Sequence, residues 1–197
     1  MPVFVTIGIL ILIVLGIFFI PKIYTKLLSK QNYDDIYTYN YFEFTKANDA
    51  WSTKVQEGKN LLIVVLRHGP LELENIPVSG DIGKFKTGND FFYTTFDPRK
   101  ENHDPYVTLS MAELAPNLVR HFGKDIAAGC IVDNPDCKDS GVETVTCNST
   151  DKAVIFLKHA KGPSVVVNGN CATISGLGED LVLATDRFMY GMYGIMK

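Results

Sequence analysis

Residues 164–188 read SVVVNGNCATISGLGEDLVLATDRF and join a strand pattern to a helix pattern. Branched and alternating apolar side chains predict a strand over Ser164–Ile174. The helix closes the chain, and its apolar residues fall on one face: Leu181, Ala184, Phe188, Met192 and Ile195. Because such a face needs a sheet or another helix to cover it, the pattern predicts a domain in which helices pack on sheets.

Strand patterns recur before this stretch. Aromatic residues alternate from Tyr37 to Phe44, and further strands are predicted over Ser52–Gln56, Leu61–Leu66, Leu71–Val78, Phe91–Phe96, Ala127–Val132, Val142–Cys147 and Ala153–Leu157. A second amphipathic helix is predicted from Met111 to Phe122, with Ser110 opening a capping box and with a start or a kink at Pro116. Sheets interleaved with two amphipathic helices predict an α+β fold.

The first twenty residues contain no charged side chain and are almost wholly apolar. A helix of this length spans about 30 Å, the thickness of the hydrocarbon core of a bilayer. We therefore predict a transmembrane helix at residues 1–21, a juxtamembrane linker at 22–40 and a single α+β extracytoplasmic domain at 41–197. A length of 197 residues allows one such domain, and a hydrophobic content of 46% excludes a wholly disordered chain.

Two signals conflict over the side of the membrane on which the domain lies. Lys22, Lys26 and Lys30 follow the apolar run, and the positive-inside rule would place them in the cytoplasm together with the domain. Four cysteines within 42 residues and a glycosylation sequon at Asn148 favour the outside. We predict a single-pass membrane protein with an extracytoplasmic domain. Residues 31–197 carry 16 basic and 22 acidic side chains, so no nucleic-acid partner is expected.

The cysteines are Cys130, Cys137, Cys147 and Cys171, and four cysteines allow three pairings. Turn-forming residues between the first two favour a local bridge, and a hairpin between the last two favours a second bridge. We predict the pairs Cys130–Cys137 and Cys147–Cys171. Zinc is the alternative, but no pair has the short spacing that zinc sites usually use. Neither a metal nor a cofactor is expected.

One segment suggests catalytic chemistry. Residues 62–69 form an apolar strand that runs into Arg67, His68 and Gly69, and this resembles the phosphohistidine strand end of the histidine phosphatases. The resemblance implies that His68 is the nucleophile, that Arg67 binds phosphate and that His159 supplies the second histidine. It covers only these residues, and Pro70 replaces the acidic or amide residue usual in the family. The simpler interpretation is a strand that ends in a polar turn.

Tyrosines are concentrated after the apolar run. Their rings suit a membrane interface or a subunit contact, because each ring has an apolar body and a polar tip. Packing onto the domain explains them equally well. The candidate interaction residues are Tyr24, Tyr33, Tyr37, Tyr39 and Tyr41.

Several segments together resemble short single-anchor envelope proteins of uncharacterised archaea: Val5–Leu10, Trp51–Val55, the loop from Cys130 to Cys137, Cys171–Gly176, Ala184–Phe188 and Tyr193–Met196. No complete catalytic motif is present. The first hypothesis is therefore a membrane-anchored extracytoplasmic structural or interaction protein of the cell envelope, such as a filament or membrane-complex subunit. Its expected partners are the lipid bilayer and copies of itself or other envelope proteins. The alternative is a membrane-tethered hydrolase similar to the histidine phosphatases.

Overall fold

The computed structural model describes residues 36–99 and 104–197, which belong to one compact unit. The strands are β1 Ile36–Tyr39, β2 Phe42–Ala47, β3 Ala50–Glu57, β4 Asn60–Leu66, β5 Val78–Ser79, β6 Phe91–Phe96, β7 Asp125–Cys130, β8 Glu143–Thr144, β9 Ala153–His159, β10 Ser164–Asn168 and β11 Cys171–Gly176. The helices are α1 Pro70–Leu73, α2 Ile82–Thr87, α3 Pro105–Pro116, α4 Pro135–Asp139 and α5 Glu179–Met192. A π-helix, Asn117–His121, continues α3.

Strands β1 to β4 form an antiparallel sheet in chain order, which we call the meander sheet. Two-residue turns connect its first three strands, and all four turn residues have positive φ: Asn40, Tyr41, Asn48 and Asp49. Positive φ at both central positions defines the type I′ turn, whose twist matches that of a hairpin. Three of the four are Asn or Asp, which tolerate this conformation better than other residues with a side chain, so the local sequence favours the meander.

The other seven strands form the mixed sheet, in the order β5-β10-β11-β9-β6-β7-β8. Strands β11, β9, β6, β7 and β8 run parallel to their neighbours in this series, whereas β10 pairs antiparallel with β11. Helix α3 and the π-helix make the crossover from β6 to β7, as a parallel pair requires.

Helix α5 contacts β11 of the mixed sheet and Phe44 of the meander sheet. Leu181, Ala184 and Phe188 are fully buried, and the Phe188 ring meets Phe85 edge-on at 5.9 Å. On the other side, Tyr190 meets Phe44 of the meander sheet at 5.7 Å between ring centroids. The predicted apolar face of the last helix is therefore the centre of the core.

Both predicted disulfides are confirmed. Cys130 and Cys137 are bonded, with their Cα atoms 6.6 Å apart, and Cys147 and Cys171 are bonded, with their Cα atoms 5.4 Å apart. The first bridge ties α4 to the end of β7, and the second ties the segment before β9 to β11. Each such bridge typically stabilises a fold by about 2–4 kcal/mol.

The described residues form an α+β domain, but several predicted elements were wrong. Leu71–Val78 is not an extended strand, because Pro70 starts the short helix α1 and Glu72 accepts a hydrogen bond from the Gly69 amide. Ser164–Ile174 is two strands, β10 and β11, joined by a turn in which Gly169 has positive φ. The described residues contain five α-helices instead of two.

The predicted start of the helix before Phe122 was also wrong. Ser110 is buried in the middle of α3, and Asp104 caps the helix by accepting a hydrogen bond from the Tyr106 amide. Pro105 occupies the first helical turn, where its missing N–H costs nothing. At Pro116 the α-helix gives way to the π-helix, which is consistent with the loss of a backbone donor at that residue.

The membrane prediction is corrected. Within residues 36–99 and 104–197 no helix is both long enough and apolar enough to cross a bilayer. Helix α5 has 14 residues, about 21 Å at 1.5 Å per residue, and it lies in the domain core. This finding is against the single-pass localisation and the transmembrane helix of the predicted fold. The segment 1–21 itself lies outside the described residues. An apolar run shows that a segment is hydrophobic and long enough, but these two properties alone do not show that it forms a spanning helix.

Candidate functional site

His68 lies two residues beyond the end of β4 and is held by helix α5. Its backbone N–H donates to Asp186 Oδ2 at 3.0 Å, and its ring Nδ1 lies 2.8 Å from the same oxygen. The Tyr190 hydroxyl, one turn further along α5, donates to the carbonyl of His68 at 2.9 Å. These three contacts fix the backbone and the ring of His68, so Nε2 is the nitrogen directed away from Asp186.

Asp186 is a fully buried acid. Its side chain is 0% exposed, and its Oδ1 has no hydrogen-bond partner among the described residues. Burial raises the pKa of Asp186, and the hydrogen bonds from His68 oppose that rise. A buried carboxylate costs several kcal/mol of desolvation, which pairing only partly offsets. The buried Asp186 carboxylate therefore lowers the stability of the folded state, and its two hydrogen bonds hold His68 in place.

Nε2 of His68 lies 3.5 Å from Oε1 of Glu179, the first residue of α5. The Glu179 side chain is 70% exposed, whereas that of His68 is 13% exposed. Burial alone would lower the pKa of His68, but the contacts with Asp186 and Glu179 outweigh it and raise the pKa above 6.5. The two carboxylates therefore stabilise the imidazolium form.

Arg67 pairs with a different acid. Its Nε donates to Oε1 of Glu113, on α3, at 2.9 Å. The Arg67 side chain is half exposed, while Glu113 is largely buried. Burial raises the pKa of Glu113 to about 7, the charge of Asp186 adds to the rise, and Arg67 opposes it. Arg67, His68, Glu113 and Asp186 thus form one electrostatically coupled group at the end of β4.

A cleft of about 410 Å³ opens beside this group. It is lined by residues from the β2–β3 hairpin, the β4 end, α1, α3 and α5: Lys46, Asp49, Arg67, His68, Glu72, Tyr106, Leu109, Glu179 and Val182. Both signs of charge are present, so the cleft offers donors and acceptors to a polar substrate. Its walls come from five separate segments of the chain.

Gly69 and Glu72 are closely packed beside the cleft. Oε1 of Glu72 accepts from the Gly69 amide and from Trp51 Nε1, each at 2.9 Å. A Cβ at Gly69 would lie 2.3 Å from the Tyr37 hydroxyl and 3.1 Å from the Trp51 ring, so a side chain here would require Tyr37 to move. This packing fixes the chain directly after His68.

The other predicted histidine has a different partner. His159, at the end of β9, has its Nε2 3.8 Å from Oδ2 of Asp104. The same oxygen of Asp104 accepts a hydrogen bond from the Gly178 amide at 2.9 Å. Arg67 and His68 are among the described residues that line the cleft, and His159 is not. Joint action of the two histidines stays a prediction.

The remaining predicted residues are dispersed. Asn148 is exposed in the turn that follows Cys147, and its glycosylation stays a prediction. Tyr37 packs on Phe44 and Trp51, while Tyr41 is fully exposed. Tyr39 is half-buried against the core, and Tyr24 and Tyr33 lie outside the described residues. In the described part of the chain, no cluster of three or more His, Cys, Asp or Glu side chains is arranged to hold a metal ion.

Sequence reasoning missed the acids that define the site: Asp186, Glu113, Glu179 and Glu72. The sequence does contain a signal for Asp186. Val182 lies four residues before it, and Met189 and Tyr190 lie three and four residues after it. These positions share one helix face, so a carboxylate among them is expected to be buried. Its partner could not be read from the sequence, since His68 is 118 residues away.

Comparisons with models of protein families, with curated proteins and with solved structures found no match to this chain. The resemblance to archaeal envelope proteins therefore stays a prediction.

Proposed function

We propose that the protein is a hydrolase in which His68 acts on an ester bound in the cleft. One observation carries the proposal: a fully buried carboxylate, Asp186, holds both the amide and the ring of His68 and leaves Nε2 on the side of the cleft. A histidine that only filled space would not need a buried charge behind it. Strongly perturbed ionisable groups in a cleft are typical of catalytic sites.

The chemistry follows from this geometry. Neutral His68 accepts a proton at Nε2 from a water molecule, whose oxygen attacks the ester centre. The ionised Asp186 stabilises the imidazolium that forms, as carboxylates do in other histidine-dependent hydrolases. The imidazolium then returns the proton to the leaving oxygen as its bond to the ester centre breaks. Water and ester become acid and alcohol, and His68 is regenerated.

Phosphate monoesters are the favoured substrate class. Arg67 lies directly before His68, and its guanidinium is half exposed beside the cleft. A planar guanidinium suits the negative charge that develops on phosphoryl oxygens. Lys46 adds a second cation to the same cleft, whose lining also includes the acids Asp49, Glu72 and Glu179. The resemblance of residues 62–69 to a phosphohistidine strand end supports the same substrate class, although it implies a nucleophilic His68 and the mechanism proposed here uses His68 as a base.

The test is hydrolysis of p-nitrophenyl phosphate by the full chain, with p-nitrophenyl acetate as the carboxylic ester control. We expect His68→Asn to reduce kcat/KM for the phosphate ester by a factor of about 10² or more, because general acid–base groups typically contribute 10²–10⁴. His121→Asn is the matched control, since His121 contacts Tyr193 and does not line the cleft. Circular dichroism verifies that each variant is folded.

Two results would contradict the proposal. One is hydrolysis of neither ester above the buffer rate, and the other is a His68→Asn variant as active as the His121→Asn variant. Faster hydrolysis of the acetate ester than of the phosphate ester would agree with a hydrolase but would contradict phosphate monoesters as its substrate class.

An interaction role, the first hypothesis from the sequence, is the second proposal. The exposed aliphatic residues of β4 favour it.

A further inference from the structure

The two sheets have four edge strands among the described residues: β1, β4, β5 and β8. Three of them are short, with four residues in β1 and two each in β5 and β8. Short edges offer few unpaired N–H and C=O groups, which is one way in which proteins prevent unwanted strand pairing. Strand β4 has seven residues and is the exception.

The sequence of β4 also lacks the usual protection. Residues Leu61–Leu66 contain no charge, no proline and no glycine. Charged side chains, prolines and bulges are the devices that normally protect an edge. Instead, three aliphatic side chains on the outer face are exposed: Leu61 at 61%, Ile63 at 60% and Val65 at 49%. An edge of this kind is expected to be covered by another strand.

We propose that β4 pairs antiparallel with β4 of a second copy of this chain. Antiparallel pairing of a strand with itself has a two-fold axis, and an axis at Ile63 places Ile63 against Ile63 and Leu61 against Val65. The outer aliphatic residues of both copies then meet in one row. Leu61–Leu66 is uncharged, so no like charges oppose each other within it, while the same register places Lys59 of one copy against Arg67 of the other at each end of the segment. The meander sheets of the two copies become one sheet of eight strands.

The neighbouring strands supply a polar rim for this contact. Lys54 of β3 is paired with Ile63, and Ser52 is paired with Val65. Interfaces typically have such an arrangement, with an apolar centre and a polar border. The apolar centre consists of three partly exposed side chains per copy, which is below the size of a standard interface. We therefore expect a weak dimer that dissociates on dilution.

Sedimentation of the full chain tests the proposal. The chain mass is 21.9 kDa, and the unsubstituted protein should approach twice the mass of its dissociated form as concentration rises. Ile63→Lys should abolish this doubling, because two lysines would face each other at the two-fold axis. Val166→Lys is the matched control: Val166 is 45% exposed on β10, a strand paired on both sides. Residues 1–20 are present in every variant, so association through them would change the masses of Ile63→Lys and Val166→Lys equally.

Cysteine cross-linking gives a second readout that tests the register. The Cα atoms of directly opposed antiparallel residues lie about 4.5–5.5 Å apart, within the range of a disulfide. Ile63→Cys should therefore form a covalent dimer on mild oxidation, and a mixture of Leu61→Cys with Val65→Cys should form the heterodimer. Val166→Cys should remain uncross-linked.

Failure of Ile63→Cys to cross-link, together with equal masses for Ile63→Lys and Val166→Lys, would overturn the proposal. Open-ended aggregates whose size increases without limit would also overturn it, since a two-fold contact closes at two copies.

Discussion

Replacing Glu113 by Gln should change how the stability of the protein depends on pH. Glu113 is largely buried, and its pKa is raised from 4.5 to about 7, chiefly by burial and next by the charge of Asp186. The folded state therefore binds this proton more tightly than the unfolded state. The stabilisation is fully present below pH 4.5 and is lost as the pH rises through 7.

The size of the loss follows from the shift. One pKa unit corresponds to about 1.36 kcal/mol, so a rise from 4.5 to about 7 amounts to about 3 kcal/mol of unfolding free energy. Gln does not ionise, and its amide oxygen still accepts the hydrogen bond from Arg67 Nε. The unfolding free energy of Glu113→Gln, relative to the unsubstituted protein, should increase by up to this amount between pH 4.5 and pH 8.

Urea denaturation at pH 4.5, 5.5, 6.5, 7.5 and 8 measures this difference. Arg67→Gln is the companion variant: removing the guanidinium should raise the pKa of Glu113 further and move the loss of stability to higher pH. A difference between Glu113→Gln and the unsubstituted protein that stays constant over the whole range would refute the reasoning. It would mean that solvent reaches the Glu113 carboxylate in the folded state.

Three further outcomes are expected. The rate of ester hydrolysis should rise with pH through the pKa of His68, because only the neutral imidazole accepts a proton. In a pH–rate profile, Asp186→Asn should move that rise to lower pH, because burial lowers the pKa of His68 and the carboxylate that opposes this effect is removed. Gly69→Ala should lower the thermal midpoint, with a cost of about 1–3 kcal/mol typical of overpacking, because its Cβ would meet the Tyr37 hydroxyl. Mass spectrometry should show four alkylated cysteines only after reduction, since both disulfides are formed.

The elements predicted correctly are those whose sequence pattern is local. Strands β4 and β6 have nearly the predicted bounds, because each is an uninterrupted run of β-favouring residues between turn formers. Both disulfide pairs were predicted correctly, but the hairpin expected between Cys147 and Cys171 was wrong, because β11 lies between β9 and β10 in the mixed sheet. Helix α1 was missed because two local signals compete there. The apolar spacing after Leu71 favours a strand, but Pro70 and Glu72 fix a helical turn.

The site was only half predictable for a different reason. Arg67 and His68 were found because they end an apolar strand, which is a local pattern. Their acids come from α3 and α5, at sequence distances that no spacing rule covers. The sequence therefore indicated where chemistry could occur and named His159 as the partner, whereas the structure places Asp186 beside the His68 ring.

Both proposals involve strand β4. They can be tested separately, because its side chains alternate between the two faces of the sheet. Val64 and Leu66 are buried against the core and lead directly to Arg67 and His68. Leu61, Ile63 and Val65 point to the other side of the sheet, because successive side chains of a strand face opposite ways. A substitution at Ile63 therefore changes the outer face without removing any contact that holds His68. If Ile63→Lys abolished dimerisation and hydrolysis together, the cleft would need the second copy; if only dimerisation were lost, the two activities of this strand would be independent.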